Sequence, residues 1–231
     1  MEISGAEALL ESLKCEGVNL LFGYPGGQVL PIYDALYKVK GLKHILTRHE
    51  QGAAHMADGY ARATGKVGVC LATSGPGATN LVTGIANAYM DSIPMVAITG
   101  QVGTAMLGKD SFQEADVTGI TQPITKHNYL VKNAADIPRI VKEAFHIART
   151  GRPGPVVIDI AKDAQVHKLN FKYPDKVDLP GYRPNLIGHP RQIKAAFKMI
   201  DLARQPVIYA GGGVISANAA KELKEFAEKC N

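Results

Sequence analysis

Glu50 lies among residues that invite close approach. It stands in Arg48-His49-Glu50-Gln51-Gly52-Ala53-Ala54-His55, at the start of a helical pattern. The small residues Gly52, Ala53, Ala54 and Ala57 let another chain or a planar ligand come near. Two readings stand side by side: a first-turn carboxylate that complements the helix dipole at the surface, or an acid held in a site. A zinc protease would place histidine at position 53, where this chain has alanine, so the HExxH pattern fails. His49 and His55 fall on different helix faces, which disfavours a shared metal. Three turns are rich in glycine: Gly23-Tyr24-Pro25-Gly26-Gly27, Ser74-Gly75-Pro76-Gly77 and Gly211-Gly212-Gly213. In open parallel sheets ligands sit beyond the C-terminal ends of strands, so such turns are where a site would form. Gly75-Pro76-Gly77-Ala78-Thr79-Asn80 comes near the dinucleotide fingerprint, but Asn80 occupies its last glycine position. A generic tight turn is the weightier reading there, a nicotinamide site the lesser one. No GxxxxGK[ST] run occurs, which excludes a P-loop.

The elements that must position these residues follow from periodicity. Ser4 and Glu7 have capping-box spacing, and Ala6, Leu9, Leu10 and Leu13 recur with helical period up to Gly17. Apolar runs at 18–22, 44–46, 67–72, 95–99 and 156–160 read as strands. Helical patterns occupy 29–39, 49–63, the stretch from 78 to about 90, and the stretch from 136 to 148. Residues 100–122 read as loop-rich. Strands that alternate with helices and are apolar throughout predict an α/β fold, an open parallel sheet with helices on both faces. At roughly 150 residues per domain, 231 residues predict about one and a half domains. The expected division is a first domain over 1–164, a linker over 165–190 and the start of a second α/β domain over 191–231. The linker expectation rests on Pro174, Pro180, Pro184 and Pro190 and on the loss of helical period. In the last part, Ile193, Ala196, Phe197 and Ile200 share a helix face, 206–210 reads as a strand, and a helix begins near Ala217.

Composition narrows the function classes. Hydrophobic residues make up 46% and charged residues 20%. That is the balance of a globular chain rather than a disordered one. The net charge of +5 comes from interleaved signs, and Lys221 to Lys229 alternate Lys with Glu as a solvated helix face does. No basic run is laced with aromatics, so nucleic acid is not an expected partner. No apolar run nears the roughly 20 residues of a membrane span, and no secretory signal is visible at the N-terminus, so the cytosol is the expected location. Cys15, Cys70 and Cys230 form no CxxC pair, which suggests neither a disulfide framework nor a zinc site. Cys70, inside an apolar run, reads as a small buried hydrophobe.

Taken together, four segments resemble the pyrimidine-binding domain of thiamine-diphosphate enzymes. They are Gly23-Tyr24-Pro25-Gly26-Gly27, Arg48-His49-Glu50-Gln51-Gly52-Ala53, Asp58-Gly59-Tyr60-Ala61-Arg62 and Thr73-Ser74-Gly75-Pro76-Gly77-Ala78-Thr79-Asn80. Within that superfamily, Ile98-Thr99-Gly100-Gln101-Val102, Phe112-Gln113-Glu114, Ile124-Thr125-Lys126-His127-Asn128-Tyr129 and Gly151-Arg152-Pro153-Gly154-Pro155 resemble the large catalytic subunit of the acetolactate synthase (acetohydroxyacid synthase) family. The resemblance covers residues 1–165 in order.

The resemblance implies that Glu50 hydrogen-bonds a ring nitrogen of the cofactor's aminopyrimidine. That bond favours the imino tautomer, whose basic nitrogen removes the thiazolium proton. A dry interface favours the neutral form of a carboxyl and so suits it to sharing a proton. The cofactor then acts as electron sink while pyruvate loses carbon dioxide and is joined to pyruvate or 2-oxobutyrate. By resemblance, Tyr24, Pro25, Gly26, Gly75, Pro76, Asn80 and Gln113 line the thiamine-diphosphate side, and Gly27, Phe112 and Lys126 the substrate pocket. The bland readings of Phe112 and Lys126 are a buried aromatic and a solvated lysine. Arg152, Gly211, Gly212 and Gly213 correspond to positions facing a structural FAD whose site is incomplete here. Gln28 and Gly103 depart from the family's usual small residue and proline near the access channel, which bears on inhibitor sensitivity. The family's Mg²⁺ is held by Gly-Asp-Gly and Asn-Asn motifs, and neither occurs in these residues. No metal ligand is therefore assigned, and a chain of these residues alone is expected to be inactive. The implied partners are a second or further copy, forming a homodimer or tetramer, or a separate C-terminal half chain, with a small regulatory subunit as a further possibility. Another thiamine-diphosphate carboligase or decarboxylase, or a non-catalytic fragment, are the alternatives.

Overall fold

The computed structural model describes residues 1–230 and divides into two compact units, Met1–Pro184 and the residues from Asn185 onward. The first unit runs β1 (Glu2–Ser4), α1 (Gly5–Cys15), β2 (Leu20–Gly23), α2 (Leu30–Lys38), β3 (Lys43–Leu46), α3 (Glu50–Thr64), β4 (Gly68–Ala72) and α4 (Pro76–Thr79). It continues with α5 (Val82–Met90), β5 (Met95–Gln101), α6 (Val117–Thr121), β6 (His127–Val131), α7 (Ile137–Arg149), β7 (Pro155–Ala161), α8 (Lys162–Val166) and β8 (Lys168–Asn170). Six strands form one sheet in the order β3-β2-β4-β5-β7-β6, and every neighbouring pair is parallel.

Both faces of this sheet are covered, as the uninterrupted apolar strands predicted. Leu9, Leu10 and Leu13 of α1, Ile32 of α2 and Val141 and Phe145 of α7 pack with Val69, Val96, Val156 and Ile158 on one face. Ala53, Ala54 and Ala57 of α3 and Leu81 and Ile85 beside and within α5 pack with Phe22, Cys70, Ala97 and Val157 on the other. The alternation along each strand, Val156 one way and Val157 the other, is the period of a pleated sheet. Small residues on the second face let the helices sit close: a β-carbon on Gly84 of α5 would run into Ala54 of α3. Cys70 is fully buried, and burial pushes its thiol up to about 12.

The N-terminus follows its sequence signal. Ser4 Oγ accepts from the Glu7 amide at 3.2 Å, and the Glu7 carboxylate accepts from the Ser4 amide at 2.8 Å. The two bonds complete the capping box of α1.

Several elements differ from the sequence expectations. β6 falls where no strand is expected. It is an edge strand, and His127-Asn128-Tyr129 offers little of the apolar run that marks a central strand. The stretch 100–122 is not wholly irregular, since α6 lies within it. The expected linker over 165–190 begins inside α8 and stays bound to the first unit as far as Pro184. There β8 pairs antiparallel with β1, Tyr173 donates to Glu16 Oε1 at 2.6 Å, and Tyr182 donates to the Thr150 carbonyl at 2.8 Å. Proline excludes helix from this stretch without preventing an extended chain from docking its aromatics.

The second unit contains α9 (Pro190–Leu202), α10 (Gly212–Ser216) and α11 (Ala220–Cys230). The expected strand at 206–210 does not form. Among the described residues of this unit there is no neighbouring strand to take its amides and carbonyls. Gly211 precedes α10, and Gly212 and Gly213 lie within it, so the expected three-glycine turn is in part helical. No described helix is long and apolar enough to cross a membrane.

Candidate active site

The C-terminal ends of β2, β4 and β5 bring three loops together. The turn after β2 carries Tyr24 to Gln28, the turn after β4 carries Thr73 to Asn80, and the segment after β5 carries Phe112 and Gln113. Thr73 locks the first two: its hydroxyl accepts from the Gln28 amide at 3.1 Å. A β-carbon on Gly26 would stand 2.5 Å from that threonine's Cβ, so the turns approach closer than a side chain permits. The second and third loops meet at Gly75, whose φ of 53° lies in the left-handed region. A β-carbon there would stand 2.6 Å from the Gln113 carbonyl oxygen.

Glu50 enters this cluster from α3. The His49 ring caps the helix by accepting from the Gln51 amide at 3.1 Å, which leaves the Glu50 side chain free to turn inward. The residue is only 9% exposed. Asn80 Nδ2 donates to Glu50 Oε2 at 3.0 Å, and Oε1 is turned toward Gly77, where a β-carbon would come within 3.2 Å of it. A first-turn carboxylate serving only the dipole would face water; this one faces a glycine turn. Burial, reinforced by the charge of Glu50, raises the nearby Tyr33 phenol well above the ordinary tyrosine range. Further along, Asp58 fixes the helix in place. It accepts from Arg62 Nε at 2.9 Å and from Asn87 of α5, so α3 and α5 hold their spacing.

Tyr24, Pro25, Gly26, Gly75, Pro76, Asn80 and Gln113 therefore share one end of the sheet with Glu50. Tyr24 is 40% exposed and Phe112 is 83% exposed, so Phe112 is not the buried aromatic of the bland reading. Gly27 has open space around it, and its carbonyl accepts from Lys162 Nζ at 3.2 Å. The sequence does not mark Lys162, since a lysine after an apolar strand gives no signal of its own.

Lys126, expected at the substrate pocket, is not brought to this cluster. It precedes β6 and so lies at the N-terminal edge of the parallel sheet, opposite the three loops. Its ammonium donates to the Ile147 carbonyl, to the Thr150 carbonyl at 2.7 Å and to the Tyr182 hydroxyl at 2.9 Å. Unsatisfied carbonyls at the C-terminus of α7 attract the cation there. Arg152 lies at the same edge, donating to Ser92 Oγ at 2.7 Å and to the Met90 carbonyl at 3.2 Å. Gly211, Gly212 and Gly213 belong to the second unit.

A buried acid that the motifs did not mark stands beneath the third loop. Asp159 on β7 accepts from Thr99 at 2.7 Å and from Gln101 at 2.9 Å. Its signal was legible as the one charge in an otherwise apolar strand. Burial raises its carboxyl to about 7, helped by the charge of Asp116 and opposed by the two hydrogen bonds. Because the folded value exceeds the unfolded one, this group's stabilisation is present below about pH 4 and is lost as pH rises toward 7. Asp159→Asn is accordingly expected to gain stability relative to the parent across that window. Urea midpoints at pH 4.5 and 8 check this; a difference that does not change with pH contradicts it.

Comparison with known proteins bears on this arrangement. The family model described as "Thiamine pyrophosphate enzyme, N-terminal TPP binding domain" matches residues 3–120, just over half of the chain. The chain belongs to the thiamine pyrophosphate enzymes. A second model of these enzymes, their central domain, matches residues 193–231. The acetolactate synthase large subunit of Corynebacterium glutamicum is 60% identical over 226 residues, 98% of this chain and 36% of that protein. The acetolactate synthase of Mycobacterium bovis is 58% identical over 98% of this chain and 37% of its own length. A probable acetolactate synthase large subunit of Methanocaldococcus jannaschii is 58% identical over 98% of this chain and 39% of its own length. The chain thus spans well under half the length of these relatives.

The cluster fits the aminopyrimidine side of thiamine diphosphate. It presents a carboxylate oxygen over a glycine, a buried Ser74 hydroxyl with no partner among the described residues, and exposed aromatic rings at Tyr24 and Phe112. Among the described residues, no group of three or more His, Cys, Asp or Glu could hold a metal ion.

Proposed function

We propose that this chain is the pyrimidine-binding part of an acetolactate synthase, acting in branched-chain amino-acid biosynthesis in the cytoplasm. Its substrates in this reading are two molecules of pyruvate, or pyruvate and 2-oxobutyrate, joined with loss of carbon dioxide. The observation that carries the reading is the Glu50 carboxylate, buried, held by Asn80 through one oxygen and turned over Gly77 with the other. Thiamine diphosphate, when bound, supplies an acidic carbon and an electron sink for decarboxylating a 2-oxo acid.

The chain's own residues do the rest of what this half contributes. Glu50 holds a proton at Oε1 and shares it with the pyrimidine ring, and Asn80 keeps the carboxylate in one orientation. Gly26, Gly75 and Gly77 let the turns close on a flat ring. Tyr24 and Phe112 give apolar cover that excludes water, and Gln113 adds a polar group beside Gly75. Mg²⁺ and the diphosphate belong to the part of the relatives' length that this chain does not span. FAD is structural in this reading. By resemblance Arg152, which donates to Ser92 and to the Met90 carbonyl, is assigned to FAD. Gly211, Gly212 and Gly213 of the second unit carry the same assignment. A second copy, a chain carrying the diphosphate-binding domain and a small regulatory subunit are the partners this reading calls for.

A polypeptide of these 231 residues, given thiamine diphosphate, Mg²⁺ and pyruvate, is expected to form no acetolactate. Joined to the remaining region of a relative, it is expected to form it. Turnover by the polypeptide alone overturns the division of labour. Acetaldehyde in place of acetolactate from the joined enzyme would assign it to the decarboxylases instead.

A further inference from the structure

Strands β5 and β7 carry a buried polar cluster that the proposed chemistry leaves unused. Asp159 is 2% exposed and stands opposite Thr99 in the strand register. Its Oδ1 accepts from the Thr99 hydroxyl at 2.7 Å, and its Oδ2 accepts from Gln101 Nε2 at 2.9 Å. The same Nε2 donates to the Ala115 carbonyl at 2.9 Å, while Gln101 Oε1 accepts from the Val102 amide at 2.9 Å. Those partners fix which way the amide points: nitrogen toward two acceptors, oxygen toward a donor.

Ala115 follows Phe112 and Gln113 in the loop that packs on Gly75. The loop's other attachments lie elsewhere. At its start, the Thr104 amide donates to Asp163 at 3.2 Å. Beyond its end, Asn128 Nδ2 donates to the Thr118 carbonyl at 2.9 Å. Glu114 accepts from the amide and the hydroxyl of Ser111, both at 3.0 Å, which shapes the loop without tying it to the sheet. Between Thr104 and Thr118 the described polar tie from loop to sheet is therefore the Gln101 amide.

We propose that Asp159 is a positioning residue. By holding the Gln101 amide, it fixes residues 111–117 against Gly75 and so sets where Phe112 and Gln113 stand relative to Glu50. The tie does not depend on ionisation. A protonated Oδ1 can donate to Thr99 Oγ1 while Oδ2 still accepts from Gln101. Asparagine can do the same, with its nitrogen toward Thr99 and its oxygen toward Gln101. Alanine leaves Gln101 with no partner on β7. The importance of the loop to catalysis rests on the functional reading above, but the tie itself does not.

Amide hydrogen exchange on the full chain separates these cases. Asp159→Ala and Gln101→Met are expected to speed exchange of the 111–117 amides by about ten-fold or more, with central β5 and β7 amides changing less than about two-fold. Asp159→Asn is expected to keep the parent's rates in the loop. A loop unaffected in Asp159→Ala and Gln101→Met, or one loosened equally in the Asn variant, overturns the proposal. Should Asp159→Ala not fold, Gln101→Met carries the test alone, because methionine keeps the volume and removes the bonds to both Asp159 and Ala115, along with the one from the Val102 amide. Loosening of the loop, together with no acetolactate from the chain joined to the remaining region of a relative, would leave the positioning role standing and remove the functional reading.

Discussion

Glu50→Ala, in the chain joined to the diphosphate-binding region of a relative, is expected to lower acetolactate formation by about 10²–10⁴-fold, the range of a positioned acid-base group. The carboxylate is buried within the cluster, and its Oε1 faces the turn that the cofactor ring would cover. The fold has little stake in it. Glu50 accepts one hydrogen bond, from Asn80. Its interaction with the helix terminus contributes about 0.3–1 kcal/mol. His49 still caps α3 in the variant. Circular dichroism and the urea midpoint should therefore change little while turnover collapses. Glu50→Gln sharpens the distinction. Its amide oxygen can still accept from Asn80, so orientation survives and only the proton is lost. Parent-level turnover in either variant would remove the assignment.

Gly75→Ala is expected to damage fold and site together. Gly75 holds φ at 53°. A non-glycine residue in a sparsely populated backbone region costs about 1–3 kcal/mol. The added β-carbon would meet the Gln113 carbonyl oxygen at 2.6 Å, its carbon at 2.9 Å and its Cα at 3.0 Å. All three are backbone atoms, so no rotamer change relieves the clash, and overpacking adds about 1–3 kcal/mol. The segment bearing Phe112 and Gln113 must then move off the turn, which should weaken thiamine diphosphate affinity as well as lower the unfolding midpoint. Gly27→Ala is the control for the unfolding midpoint, since nothing lies within 4 Å of its β-carbon position. A Gly75→Ala protein with the parent's midpoint and cofactor affinity would show that the loop contact does not matter.

Central elements were legible in the sequence, and peripheral ones were not. β4, β5 and β7 are buried on both faces, so their runs are uninterrupted and unmistakable. β6, at the edge, shows polar residues to solvent and gave no run to read. The site divides the same way. Glu50, Asn80, Gly26 and Gly75 sit in short local motifs whose spacing survives folding, and the fold brings them together. Lys126 sits in an equally recognisable motif, but its side chain answers to the carbonyls of Ile147 and Thr150 at the end of α7. The attraction of a cation to a distant helix terminus is something no local pattern encodes. Asp159 and Gln101 are 58 residues apart and meet only through strand pairing. The strand expected at 206–210 shows the converse limit. An apolar run specifies a strand only when neighbours exist to complete its ladder.

The rate at which the joined enzyme exchanges the thiazolium C2 proton of thiamine diphosphate for deuterium addresses the role of Glu50 without any later step. Quenched exchange followed by proton NMR would compare the parent with Glu50→Gln. The account predicts exchange slower by about 10²-fold or more in the variant. Equal rates in the two proteins would contradict it.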